Sequence, residues 1–296
     1  MSLSYENCML CARKCGINRA SGSLGFCKMT DTLTVARASL HRWEEPIISG
    51  FRGSGAIFFS GCSLGCVFCQ NREISKGQTG KPVSTQRLAD IMLRLKEQGA
   101  HNINLVTATH FIPSVKEAII IAKNKGLDIP IVYNTSSYDS VESIRSLDGL
   151  IDIYLPDFKY YTSKTAKKLS FAENYPEAAR LAIAEMVRQK PIPKIEDGIM
   201  QSGVIVRILL LPAHVAEAKL TLKYLYDTYG DTVFVSLMSQ YTPMPSMISP
   251  LDRCVTREEY LDFFSYAGKL GIKNGFTQDF GSATEAFIPE FDNTGV

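Results

Sequence analysis

The sequence has little of what marks several protein classes. Its 296 residues carry 32 basic and 30 acidic side chains, a net charge of +2, so it lacks the excess of basic residues typical of a general nucleic-acid-binding protein. No run of about 18 apolar residues occurs, so we expect no transmembrane helix and no membrane partner. The first residues lack the apolar core of a signal peptide, which favours a cytoplasmic protein.

The composition is that of a folded chain. Hydrophobic residues make up 45% and charged residues 21%, a balance that argues against long disordered segments. From about residue 55, short apolar runs alternate with segments of helical periodicity. Six runs read as strands: 55–60, 103–107, 129–133, 151–155, 204–211 and 232–238. This alternation predicts an α/β protein with a parallel sheet, and both a partial barrel and a doubly wound sheet fit six strands.

Two helix predictions are specific enough to check. The pattern over 163–189 predicts one helix. Thr256 and Glu259 form a capping box that opens the last helix, and Gly271 closes it.

Cysteine is the most informative residue type, because seven of the eight cysteines lie within the first 69 residues. In a cytoplasmic protein, clustered cysteines bind metal or do redox work more often than they form disulfides. The spacing defines two groups, C-x3-C-x2-C at Cys62, Cys66 and Cys69, and C-x2-C-x3-C-x11-C at Cys8, Cys11, Cys15 and Cys27. Cys254 stands alone, and we expect it to pack in the core.

The group at Cys62, Cys66 and Cys69 directly follows the first predicted strand, where parallel α/β folds place their sites. Three thiolates can hold three irons of a [4Fe–4S] cube and leave the fourth iron open to another ligand. Gly61 and Gly65 allow the loop to fold tightly around a cluster. The alternatives are three buried cysteines or an incomplete zinc site.

The earlier group has spacing suited to four sulfur ligands around zinc or an iron–sulfur cluster. A module of residues 1–50 has too little core to fold alone, and metal binding would supply folding energy. Zinc, a second iron–sulfur cluster that relays electrons, and unmetallated or disulfide-bonded cysteines all remain open. We therefore divide the chain into a Cys-rich metal-binding module, 1–50, and a larger domain, 51–296.

The C-x3-C-x2-C loop, with Phe68 before the last cysteine, resembles the signature of the radical S-adenosylmethionine (SAM) superfamily. The blocks HRWEEPIISG (41–50), DIYLPDFKYY (152–161) and VRILLLP (206–212) resemble an uncharacterised branch related to pyruvate formate-lyase (glycyl radical enzyme) activating enzymes. The resemblance implies that residues 51–296 form a partial (β/α)6 parallel barrel with a C-terminal extension.

The resemblance also implies a reaction. A reduced [4Fe–4S] cluster cleaves SAM to a 5′-deoxyadenosyl radical, which abstracts hydrogen from a substrate while the protein positions both and excludes water. The implied partners are a low-potential electron donor of flavodoxin or ferredoxin type and a protein substrate such as a glycyl radical enzyme. Another peptide or a small molecule fits equally, because fold and cofactor do not fix the substrate.

Several residues match positions that contact SAM in that family. Asp157 and Lys159 match a D-x-K motif, in which a carboxylate suits an ammonium and a lysine suits a carboxylate. Arg207, inside an apolar strand, matches an arginine that meets the SAM carboxylate, and a charge there is costly unless paired. Phe68 and Gln240 are further cofactor-binding candidates.

The chain departs from the family pattern at two places. Asn134 and Thr135 stand where the family has an Asp-Thr pair that helps to hold a monovalent cation. That cation site is in doubt here, and Asn134 can also cap or turn the chain. A Gly-Gly-Glu stretch that binds the SAM ammonium is replaced by 107–110, where Thr107 and Thr109 offer hydroxyl acceptors and His110 faces the substrate or is structural.

A hypothesis from another class is a non-catalytic iron–sulfur carrier or metal-dependent scaffold, which predicts a cluster without SAM cleavage. Asp157, Lys159 and Arg207 argue against it, because a carrier needs no SAM pocket. Trp43, Glu44 and Glu45 also need a role: they contact substrate or seal the site, or Trp43 packs the N-terminal module onto the barrel and the glutamates are solvated.

Overall fold

The computed structural model describes residues 3–244, 247–278 and 289–296. Within these ranges the strands are β1 (Thr34–His41), β2 (Ser54–Phe59), β3 (Lys81–Pro82), β4 (Ile103–Val106), β5 (Ile131–Thr135), β6 (Ile153–Pro156), β7 (Lys194–Glu196), β8 (Ile199–Leu209), β9 (Phe234–Met238) and β10 (Gly275–Thr277). The α-helices are α1 (Pro46–Ser49), α2 (Arg72–Ser75), α3 (Thr85–Glu97), α4 (Ile112–Asn124), α5 (Val141–Arg145), α6 (Ser163–Ser170), α7 (Tyr175–Gln189), α8 (Val215–Tyr229) and α9 (Arg257–Leu270).

The sheet is mostly parallel, which confirms the predicted α/β fold. Its strand order is β10-β9-β8-β6-β5-β4-β2-β1-β3, and every neighbouring pair from β10 to β2 is parallel. The six predicted strands appear as β2, β4, β5, β6, β8 and β9. Three pairings in the described part of the chain are antiparallel: β1 with β2, β3 with β1, and β7 with β8.

The sequence analysis missed β1 and β10. Thr34–His41 belongs to the segment that we assigned to the Cys-rich module, yet it runs antiparallel along β2, with His41 opposite Ser54. β10 adds a seventh parallel strand after α9. Both lie toward the edges of the sheet, where one-sided burial weakens the apolar pattern. The division of the chain at residue 50 stays a prediction.

The two faces of the sheet have different roles. One face packs against the helices in the large core, which includes Ile57, Leu105 and Val206. The other face encloses a smaller apolar cluster near the amino ends of the strands, where Ile48 of α1 meets Val132, Ile153, Leu155, Met200 and Ile205. Alternate residues of each strand therefore point to opposite faces. The segment before β2, which includes α1, covers the enclosed face near the amino ends of the strands.

The helix predicted over 163–189 is two helices. α6 ends at Ser170, and Phe171 follows in the left-handed conformation with a φ of 53°. Pro176 then lies in the first turn of α7, where its missing N–H costs nothing. The single-helix prediction is wrong because the periodicity continues across a break that backbone geometry imposes.

The last predicted helix is confirmed in detail. Thr256 and Glu259 form the reciprocal capping box of α9, and Gly271 ends the helix in the left-handed conformation. Cys254, in contrast, is exposed, so its predicted place in the core is wrong. None of the helices in the described ranges is long and apolar enough to span a membrane.

Candidate functional site

A cavity of about 730 Å³ opens on the enclosed face of the sheet. Its lining joins loops after β2, β4, β5 and β6 to side chains of β8 and to the segment after β9. The predicted site residues in this lining are Cys62, Cys66, Phe68, Cys69, Thr107, Asn134, Thr135, Asp157, Lys159, Arg207 and Gln240. Residues that are far apart in the sequence thus meet in one place.

The cysteine loop is held tightly against the N-terminal module. Gly61 and Gly65 have φ values of 84° and 68°, so both adopt the left-handed region that glycine permits. A Cβ at Gly61 would lie 2.6 Å from the carbonyl oxygen of Cys27. Arg13 donates to the carbonyls of Ser63 (3.1 Å) and Leu64 (3.0 Å) in the loop.

The same arginine crosses to the break between α6 and α7. Its guanidinium donates to the carbonyl of Ser170 at 2.8 Å and also to that of Phe171. The ring of Phe26 lies 3.7 Å from the guanidinium carbon. Arg13 therefore connects the N-terminal module, the cysteine loop and the end of α6.

The surroundings of two of the three loop thiols favour the neutral form. Burial raises the pKa of Cys62 and raises that of Cys69 to about 12, and neighbouring cysteines add to both shifts. The Lys159 charge opposes the shift at both thiols. The backbone N–H of Leu64 donates to Cys62 Sγ at 3.4 Å. Such buried thiols ionise when a metal supplies positive charge.

The donor set has the chemistry of an iron–sulfur site, because such clusters are held by cysteine thiolates. In the described part of the chain, no three His, Cys, Asp or Glu side chains are arranged to hold one metal ion, and this applies to both cysteine groups. Cys62, Cys66 and Cys69 are all partly exposed, and all three line the same cavity.

A chain of ion pairs runs inward from the thiols. Lys159 Nζ donates to Asp157 Oδ2 at 2.7 Å, and Arg207 Nε donates to Asp157 Oδ1 at 2.7 Å. Arg207 Nη1 continues to Glu44 Oε2 at 3.0 Å. Burial opposes ionisation of Asp157, but Arg207 and Lys159 outweigh burial and hold its pKa below the usual range. Asp157, Lys159 and Arg207 are therefore charged together.

Glu44 is a site residue that the sequence analysis left unassigned. Asn104 Nδ2 donates to Glu44 Oε1 at 3.0 Å, and the side chain is 9% exposed. Glu45 is buried beside it. The interpretation that both glutamates are solvated is wrong, while Trp43 lines the cavity with 62% of its surface exposed. The only sequence signal was that two acidic residues precede an apolar turn.

Asn134 contributes both ends of its amide to this network. Its Oδ1 accepts from Arg207 Nη2 at 2.7 Å, and its Nδ2 donates to Glu44 Oε1 at 3.3 Å. The neighbouring Thr135 donates to Asp139 Oδ2 at 2.6 Å. The amide therefore helps to fix the orientation of Arg207.

The segment after β4 divides between the cavity and the core. Thr107 lines the cavity with a φ of 63°, and its N–H donates to the carbonyl of Asn134 at 2.9 Å. Thr109 does not line it, and its hydroxyl lies 3.3 Å from the Tyr133 hydroxyl. Burial lowers the pKa of His110 to about 3, so the neutral ring donates from Nε2 to the carbonyl of Ser60 at 2.6 Å. His110 thus has a structural contact.

The N-terminal cysteines lie outside the cavity lining. Cys8, Cys11 and Cys27 are buried and Cys15 is exposed. Burial raises the pKa of Cys11 to about 12 and also raises that of Cys27.

A fully buried arginine lies against this group. Arg19 Nη1 lies 3.5 Å from Cys8 Sγ and donates to the carbonyl of His110 at 2.7 Å. Its Nε donates to the carbonyl of Met29 at 3.0 Å. Cys8 of this group therefore contacts a buried cation.

Comparison with known proteins identifies the class. The model of the radical SAM superfamily matches residues 56–217, more than half of the chain, and the chain therefore belongs to that superfamily. Membership implies a [4Fe–4S] cluster and SAM. The chain is 29% identical over 280 residues to the uncharacterised protein MJ0674 of Methanocaldococcus jannaschii, an alignment that covers 90% of this chain and 76% of that protein.

Solved structures show the same fold. SuiB of Streptococcus suis has a TM-score of 0.50 with this chain at 12% identity, and the match covers 75% of this chain. SuiB bound to S-adenosylmethionine has a TM-score of 0.50 at 14% identity and covers 77% of this chain. The match spans 48% of SuiB in both cases, so this chain corresponds to about half of that protein.

Proposed function

We propose that this protein reductively cleaves SAM at a [4Fe–4S] cluster held by Cys62, Cys66 and Cys69, and directs the resulting 5′-deoxyadenosyl radical to hydrogen abstraction from a substrate. The observation that carries the proposal is that these three thiols share one cavity with the ion pairs of Asp157, Lys159 and Arg207. The cluster, when bound, supplies the electron for this cleavage.

The protein's own groups bind and orient SAM in this proposal. Lys159 and Arg207 offer cationic donors to a carboxylate, and Asp157 offers an acceptor to an ammonium. Thr107 and Gln240 add polar groups at the cavity wall. Asn134 accepts a hydrogen bond from Arg207, and the carbonyl of Thr135 accepts one from the N–H of Asp157 at 2.8 Å. Phe68 packs edge-on against Tyr160 and Tyr241, which supports the cysteine loop from the protein side.

The finer proposal is an activating enzyme. Its substrate would be a backbone glycine of a partner protein, and its electron would come from a flavodoxin or ferredoxin. Support comes from the resemblance of the D-x-K motif and its neighbouring blocks to activating enzymes. A search for a protein that acquires a stable radical in the presence of the reconstituted enzyme, SAM and reductant tests it.

The central experiment is anaerobic reconstitution with iron and sulfide, followed by dithionite and SAM. We expect a [4Fe–4S] spectrum and chromatographic detection of 5′-deoxyadenosine. A fully assembled cluster that yields no 5′-deoxyadenosine would contradict the catalytic proposal and favour an iron–sulfur carrier.

We further propose that Cys8, Cys11, Cys15 and Cys27 hold a second metal centre, either zinc or an iron–sulfur cluster. Arg19 supports this proposal, because in the described residues its hydrogen bonds go to carbonyls and to Cys8 Sγ rather than to a carboxylate. Metal-bound thiolates would supply the missing negative charge.

Metal analysis of a variant with Cys62, Cys66 and Cys69 all changed to Ala separates the outcomes. Retained zinc assigns a structural site, and retained iron with sulfide assigns a second cluster. A variant that folds and holds neither would contradict the second centre.

A further inference from the structure

One carboxyl of the cavity has only part of its hydrogen-bonding capacity used. Glu45 lines the cavity and is 7% exposed. It is the residue before α1, but its side chain does not cap that helix. Burial raises the pKa of this carboxyl and the charge of Glu44 adds to the rise, whereas the charge of Arg207 and a hydrogen bond from Ser236 oppose it. Even so, Glu45 Oε2 has no hydrogen-bond partner among the residues that the structure describes.

The positive and negative charges of the ion-pair chain balance without the carboxyl of Glu45. Arg207 and Lys159 supply two positive charges, and Glu44 and Asp157 supply two negative ones, all in direct ion pairs. Arg42 also lines the cavity, but its side chain is exposed. Glu45 is therefore an acidic group without a direct ion pair among the described residues, and a cationic ligand would favour its ionised form against the cost of burial.

A second unpaired acceptor belongs to Asn104, which is hydrogen-bonded to the neighbouring residue Glu44. Asn104 is fully buried and donates through Nδ2 to Glu44 Oε1, which leaves its Oδ1 without a donor. Asn104 is two residues before Val106, which lines the cavity, so both side chains point to the same face of β4. The two unpaired atoms, Glu45 Oε2 and Asn104 Oδ1, are both acceptors. A ligand with several N–H donors and a positive charge complements them.

Glu45 and Asn104 lie away from the cysteine end of the cavity. Cys62, Cys66 and Cys69 follow the carboxyl end of β2, whereas Glu45 precedes α1, whose Ile48 packs in the small apolar cluster near the amino ends of the strands. Along the ion-pair chain, Asp157 and Arg207 lie between these two ends. A molecule that contacts Glu45 therefore lies at the end of the network opposite the thiols.

We propose that Glu45 binds a cationic nitrogen group of the substrate, an ammonium or a guanidinium. The inference rests on the proposed function and deepens it, because it defines the substrate as a cation at the end of the cavity away from the cluster. Ile48 of α1, fully buried in the small apolar cluster, keeps the Glu45 backbone in place. Glu45 thus selects substrates by charge.

The test uses the reconstituted holoenzyme with SAM, and small probes in place of the unidentified substrate. Ligand-detected NMR titrations compare butylammonium and butylguanidinium with butanol, a neutral probe of similar length. We expect wild-type protein to prefer the cationic probes. Glu45→Gln should weaken them at least about tenfold, the size of a charged hydrogen bond, and leave butanol and SAM binding unchanged. The matched control is Glu97→Gln, an exposed carboxyl at the end of α3.

Four results of these binding titrations would overturn the proposal. Wild-type protein that binds butanol as well as butylammonium lacks the site, and this comparison needs no variant. Unchanged butylammonium binding in Glu45→Gln removes Glu45 from it. An equal loss of SAM affinity in that variant assigns the carboxyl to the SAM ammonium. Displacement of butylammonium by potassium at equal concentration assigns a metal-cation site.

Two readouts separate other failures. A structural role for Glu45 predicts a lower melting temperature for Glu45→Gln than for wild-type protein. Removal of a buried acid without an ion pair should leave the melting temperature equal or raise it. A lower melting temperature together with lost binding of every probe would refute the proposal. Failure of the proposed function shows separately, as absent 5′-deoxyadenosine from the wild-type protein.

Discussion

The cavity and the N-terminal cysteine group each contain a largely buried arginine, but the two arginines are neutralised differently. Arg207 in the cavity has Asp157 and Glu44 as direct partners. Arg19, next to Cys8, donates to carbonyls and to a sulfur. Arg207 is thus neutralised by carboxylates, whereas the described residues give Arg19 no carboxylate partner. This difference indicates a site that binds small molecules in one region and a site that stabilises the fold in the other.

The largest expected effect is a difference in SAM cleavage between variants of the two cysteine groups. Cys66→Ala should reduce 5′-deoxyadenosine formation to background, because a cluster with two thiolate ligands is not held. Cys254→Ala is the matched control, since that cysteine is exposed and outside the cavity lining. Cys8→Ala should lower stability and metal content while the surviving folded protein cleaves SAM. Equal loss of cleavage in Cys8→Ala and Cys66→Ala would erase the distinction between the regions.

The second prediction compares the arginines. Arg207→Met leaves Asp157 and Glu44 without their shared cation, so the free energy of unfolding should fall by about 3–5 kcal/mol and SAM binding should be lost. Arg19→Met leaves carbonyls unpaired, which costs about 1–3 kcal/mol for each one that water cannot reach. Urea unfolding and SAM titration measure both. Arg19→Met that weakens SAM binding as strongly as Arg207→Met would show that the regions are not separate.

A third, smaller effect concerns the contact between the regions. Arg13→Gln removes the guanidinium that donates to Ser63, Leu64 and Ser170. We expect faster loss of the cavity cluster on exposure to a chelator, with the free energy of unfolding lowered by about 1–2 kcal/mol because Arg13 and its hydrogen bonds are only partly buried. Arg87→Gln on α3 serves as the control. Unchanged cluster lifetime would mean that the loop keeps its shape without Arg13.

The smallest effect is a pH dependence specific to the cavity end. The pKa of Asp157 in the folded protein lies below its usual 3.8, so its contribution to stability is present above that value. It is lost as the pH falls through the folded pKa. Asp157→Asn should therefore flatten the decline of the melting temperature at acidic pH. The same decline in wild type and Asp157→Asn would show that other carboxyls control acid unfolding.

Much of the fold could be predicted because it follows from local sequence patterns. Six strands follow from continuous apolar runs, since each central strand is buried on both faces. The capping box of α9 follows from two residues three positions apart. The break before α7 could not be predicted from periodicity, because it depends on the left-handed conformation of Phe171.

By itself, the sequence determined the class of chemistry. The spacing of Cys62, Cys66 and Cys69 after a strand is a local property, and so is the Asp157-x-Lys159 pattern, because each lies within a segment of eight residues or fewer. Both patterns can therefore be recognised without the tertiary structure.

Only the tertiary structure decided which charges meet. Glu44 reaches Arg207 across 163 positions of sequence, and Glu45 lines the same cavity with one oxygen unpaired. No local pattern distinguishes these glutamates from solvated ones, because the burial of a charge depends on which distant strands surround it. The position of Glu45 in the cavity is therefore a consequence of how α1 packs near the amino ends of the strands.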